Sequence, residues 1–146
     1  MMEPIELFTL APCGAEPPVA RLLSHGRDVG KVNGQEIEAQ FRCWRGYVLI
    51  TSDGNPTEEV AHIYLLGRDF QAVDLVWLGA MYHAGAVRDI SSCGEDCVEF
   101  AFFGGSDRWR LTVRDTPKMS WWPHITSAMR YPGGWLRSHY LQLDRV

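Results

Sequence analysis

The chain has 146 residues, the length of one domain, and 46% of them are hydrophobic and 22% charged, a globular balance rather than a disordered one. Its 18 acidic and 14 basic residues leave a formal charge of −4, and no run of Lys or Arg supplies the counterion release that drives nucleic-acid binding. No apolar stretch approaches the roughly 18 residues of a membrane span.

The opening Met1-Met2-Glu3-Pro4-Ile5-Glu6 lacks the basic and apolar regions of a secretory signal. A cytoplasmic location is therefore expected. In that compartment Cys13, Cys43, Cys93 and Cys97 are expected as thiols rather than a disulfide framework. Only Lys31 and Lys118 among the basic residues are lysines, a usage that a GC-rich bacterial coding sequence would give.

In chain order, Pro17 to Gly26 has proline at its start and glycine past its end, the punctuation of one short N-terminal helix. Asn33-Gly34 follows as a type I′ turn signal. In Glu36–Trp44 the apolar Ile37, Ala39, Phe41 and Cys43 alternate with polar residues, the period of a half-buried strand. A turn at Arg45-Gly46 would return the chain along Tyr47–Ser52, with Cys43 facing Val48 and Phe41 facing Ile50.

After the turn cluster Asp53-Gly54-Asn55-Pro56, Thr57–Leu66 reads as a strand of less clean alternation. Phe70–Leu78 reads as another, with a helix as its rival, and Met81–Ile90 as extended chain. A second hairpin joins Cys97–Phe103 to Arg108–Arg114 through Gly105-Ser106. It sets Phe100 against Leu111 and Val98 against Val113, with Glu99 diagonally across from Arg110. Thr116–Gly134, rich in proline and aromatics, is expected to be an irregular C-terminal segment, and Trp135–Leu143 a final strand.

Short strands at this spacing predict a mainly β fold, one domain over residues 1–146, built as an antiparallel meander. About seven strands must curl into a barrel or fold into a sandwich to bury an apolar face.

Chemistry-bearing motifs are scarce. Cys93-Gly94-Glu95-Asp96-Cys97 has a three-residue spacer and no second ligand pair, so no metal site follows. Glu58-Glu59-Val60-Ala61-His62 places a carboxylate and an imidazole on one strand face, yet it is not H-E-x-x-H, and a packed or solvated histidine is the simpler reading. No nucleophile elbow, phosphate loop or dinucleotide fingerprint occurs, so no catalytic residue and no cofactor is assigned.

The aromatic segment holds Trp121, Trp122, Tyr131 and Trp135. Such rings give rigid contact area at low entropic cost, or else plug an open end of the fold. With Glu95 and Asp96 as acidic neighbours they form the candidate partner-binding set. The expectation is a non-catalytic protein-binding module, in the manner of a small bacterial immunity or inhibitor protein that blocks a basic partner enzyme. The alternative is a small-molecule-binding or enzymatic β-barrel with its site at the barrel mouth.

Overall fold

The computed structural model describes residues 2–15, 17–54, 60–79, 87–102, 108–119, 129–130 and 138–146. The first strands are β1 (Glu3–Pro4), β2 (Phe8–Pro12), β3 (Val19–Ser24) and β4 (Arg27–Asn33). Next come β5 (Glu36–Cys43), β6 (Gly46–Ser52), β7 (Val60–Gly67) and β8 (Ala72–Gly79). The chain continues through β9 (Arg88–Ser92), β10 (Cys97–Ala101), β11 (Arg108–Met119), β12 (Met129–Arg130) and β13 (Ser138–Arg145).

All pairings are antiparallel, and they make a six-stranded sheet β1-β5-β6-β7-β8-β12, a four-stranded sheet β13-β11-β10-β9 and a three-stranded sheet β2-β3-β4. None of these sheets closes into a barrel among the described residues.

The expected N-terminal helix is strand β3. Ala20, Leu22 and Ser24 are buried while Arg21 is exposed, a period of two. Gly26 does not cap a helix. It closes a tight turn with His25, both at positive φ (76° and 51°), so that Ser24 pairs with Arg27. The Asn33-Gly34 turn is also not a hairpin: there the chain leaves the three-stranded sheet, with the Gly34 N–H on the Pro18 carbonyl and the Gln35 N–H on that of Ser52.

Two apolar layers hold the sheets together. Phe41, Val48, Ile50, Ile63, Leu65, Val76 and Leu78 of the six-stranded sheet pack against Val98, Phe100, Trp109, Leu111, Leu141 and Leu143 of the four-stranded one. On the opposite face of the six-stranded sheet, Leu49, Tyr64 and Leu66 meet Phe8, Leu22 and Val32 of the three-stranded sheet. Phe8, Tyr47 and Phe70 close that second layer as a ring trio with centroids 5.4–5.5 Å apart.

The middle sheet is thus covered on both sides, and Val48, Leu49 and Ile50 are each 0% exposed. A strand buried on both faces needs a continuous apolar run, which explains the poor alternation before Leu66.

Both expected hairpins form, each displaced in register. Cys43 pairs with Gly46 and Phe41 with Val48, so the turn is Trp44-Arg45. Gly46 belongs to the strand: a side chain there would collide with the Leu66 carbonyl oxygen across β7. Likewise Phe100 pairs with Trp109 and Val98 with Leu111. Each shift equals one side-chain period, so the paired residues keep their expected faces, except at a bulge in β5. There the register slips between Ile37 and Ala39, and Ile37 turns to the layer of the three-stranded sheet while Ala39, Phe41 and Cys43 pack in the other. The expected strand at Phe70 begins at Ala72, because Phe70 sits at φ 68° in the preceding turn. β11 continues to Met119, which replaces the start of the expected irregular segment with strand.

Candidate functional site

Trp121, Trp122, Tyr131 and Trp135 lie outside the described residues, as do Glu58 and Glu59. Glu95 is exposed and Asp96 half-buried in the turn between β9 and β10. That turn is tied down. A disulfide joins Cys93 to Cys97, whose Cα atoms are 5.3 Å apart, and the Cys93 N–H donates to the Cys97 carbonyl at 3.0 Å. The expectation of four thiols is corrected: Cys13 (exposed) and Cys43 (buried) are free. The hairpin sets the two ends of the three-residue spacer opposite one another, within reach of a bond, which spacing along the chain does not reveal.

Two carboxylate–imidazole pairs form. His62 on β7 places Nε2 2.8 Å from Asp53 Oδ1 and its ring edge-on to Trp77, centroids 4.8 Å apart. His62 Nδ1 and Trp77 Nε1 are buried without a hydrogen-bond partner among the described residues. His139 on β13 places Nδ1 2.7 Å from Asp74 Oδ1. Asp74 Oδ2 accepts the N–H groups of Tyr140 (2.8 Å) and Leu141 (2.9 Å), and Oδ1 also accepts that of Leu75 (2.9 Å).

A carboxylate that orients an imidazole is the arrangement a general base needs. Here neither pair lines the groove that runs between β5 and β9. Asp74 spends its oxygens joining β8 to β13, one margin of the six-stranded sheet to one edge of the four-stranded sheet. The signal for it was readable, since Asp74 occupies the core-facing parity of Val76 and Leu78.

The opposite seam is open. Between β5 and β9 runs a groove of about 430 Å³. β1 pairs with β5 only at Arg42 and Phe41, and β9 ends the four-stranded sheet. Ile5, Ala39, Phe41 and Ile90 supply apolar lining, and Ser91 and Ser92 supply hydroxyls. Among the described residues its one charged lining residue is Glu38, which accepts a 2.6 Å hydrogen bond from Ser52 Oγ. No Lys, Arg or His among the described residues lines it.

A second surface lies at the β5–β6 turn. Trp44 is 44% exposed, and the Arg45 guanidinium carbon stands 3.7 Å from the Tyr140 ring centroid and 5.0 Å from that of Trp44. Arg68 Nη2 donates to the Trp44 carbonyl at 3.1 Å. Neither surface was legible in the sequence, because each is assembled from separate strands.

Among the described residues no group of three His, Cys, Asp or Glu side chains is arranged to hold a metal ion, and no helix is long and apolar enough to cross a membrane. Comparison with protein-family models, curated proteins and solved structures finds no match to this chain.

Proposed function

We propose that this chain is a non-catalytic protein-binding module whose β5–β9 groove receives an extended, basic segment of a partner protein. The observation that carries the reading is the groove itself: an apolar trough between two strand edges, lined among the described residues by a carboxylate and no cation. Strand edges offer main-chain N–H and C=O groups to an added strand, while side-chain pockets select what it carries. Glu38 selects for Lys or Arg, and the net charge of −4 speeds the encounter with a basic surface. An inhibitor or immunity protein that occupies a basic enzyme surface is the specific form of this reading. Among the described residues no sheet closes into a barrel that would carry the barrel-mouth alternative, and both His–Asp pairs lie outside the groove.

Ser91 is exposed on the groove wall, so Ser91→Arg adds a long cation there without touching the core. Affinity capture from the source cells should recover a partner with the parent protein. The Ser91→Arg variant, with an unchanged thermal midpoint, should bind that partner weaker by about 2 kcal/mol, the scale of an interface hot spot. Equal recovery by both proteins would reject the groove as the binding site.

A further inference from the structure

We propose that Arg45 forms an oxyanion site, separate from the β5–β9 groove, that takes the carboxylate of an aromatic acid. Most described arginines find an acceptor: Arg21 meets Asp28, Arg42 meets Glu3, Arg110 meets Glu99 and Arg114 meets Gln142. Arg45 meets two aromatic rings instead, and among the described residues its side chain has no hydrogen bond and no ion pair. Asp96, whose charge acts on the neighbouring Cys43 thiol, is not within ion-pair distance of it.

The geometry resembles a receptor held ready. Stacking on Tyr140 at 3.7 Å and on Trp44 at 5.0 Å holds the guanidinium in place, so little freedom is lost when a ligand binds. Its Nε is shut away from solvent with no acceptor, while the terminal nitrogens of this half-buried side chain remain at the surface. A planar fork of N–H donors matches the two oxygens of a carboxylate. Arg68, anchored on the Trp44 carbonyl, adds positive potential without closing the fork.

Trp44 sets the second half of the specificity. It is the exposed aromatic ring among the large hydrophobic side chains described at the surface, at 44%, and it flanks the fork. A ring attached to the bound carboxylate would stack or pack edge-on against it. The chemistry is shared by a free aromatic acid and by a peptide ending in an aromatic residue.

The test is titration of 15N-labelled protein with sodium benzoate, sodium acetate and the dipeptide acetyl-Gly-Phe, reading the Arg45 Nε–H resonance and, in every variant, the backbone amides of residues 44–46. Benzoate should saturate about fivefold more tightly than acetate, the scale of one aromatic contact at an exposed site. Trp44→Ala, at an exposed side chain, should erase that preference, and Arg45→Lys, which keeps the charge and loses the fork, should abolish saturation. Tighter binding of acetyl-Gly-Phe than of benzoate assigns the site to peptide termini, and the reverse order to free acids. Ser91→Arg should leave every titration unchanged, so the two proposals fail separately. Shifts at Arg45 that do not saturate, or a benzoate preference that survives Trp44→Ala, would overturn the site.

Discussion

Asp74 is a carboxylate on the core side of a strand, and it holds a seam that apolar contact alone leaves open. Removing it takes an acceptor from the His139 ring nitrogen Nδ1 and from the N–H groups of Leu75, Tyr140 and Leu141. Asp74→Ala should therefore cost about 3–5 kcal/mol in urea unfolding, and Asp74→Asn, which keeps one acceptor oxygen, less. A loss under about 1 kcal/mol for both would show that the seam does not depend on this residue.

Cys43 behaves differently. Burial pushes its thiol above the usual 9.0, opposed by the backbone N–H groups of Arg45 and Gly46, with Asp96 adding to the rise and Arg45 opposing it. Folding thus favours the protonated thiol. That contribution is fully present below the unfolded value and is lost as pH rises through the folded one. Stability should fall above pH 9.0, and Cys43→Ala should flatten the slope. Burial also raises Tyr64 above 10.0, so its share is lost at still higher pH.

Among elements, the β10–β11 hairpin separates what a period of two determines from what it leaves free. Leu111 is 0% exposed opposite Val98, and Leu111→Ala should cost about 2–5 kcal/mol. Arg110 shares the outer face with Glu99, directly opposite rather than diagonal, in an ion pair of 3.1 Å between an exposed arginine and a half-buried carboxylate. Arg110→Ala should shift stability by only a few tenths of a kcal/mol, and urea midpoints for the two variants would check the contrast.

The faces of both hairpins were legible in the alternation, apart from Ile37 beyond the bulge in β5, and their registers were not. At Gly46 the reason is specific: glycine reads as a turn residue, yet here it is needed where β6 passes the Leu66 carbonyl. Gly26 misled in the same way, as a helix stop that is half of a tight turn.

At the scale of the whole molecule, a middle sheet lies between two others, and the disulfide closes the turn beside the β5–β9 seam. Protein purified without reductant and then denatured should titrate with two thiols, those of Cys13 and Cys43, and a count of four would remove the Cys93–Cys97 bond. Its loop is short, so reduction should cost about 2 kcal/mol or less by chain entropy. The binding surfaces arise at this scale too: one seam is joined by Asp74 and the other is left as a groove.

The amino-acid order by itself determined the strand-rich content, the parity of residues 39–43 and of Cys97–Ala101, and the apolar faces they present. Those are local properties, written in residues two apart. The third sheet, the double burial of β6 and β7, the Asp74–His139 tie, the disulfide and the placing of Arg45 on Tyr140 were decided only by the tertiary structure. Each joins residues from separate strands, and which face of a strand gains a second cover depends on layers that meet after the chain has folded back on itself.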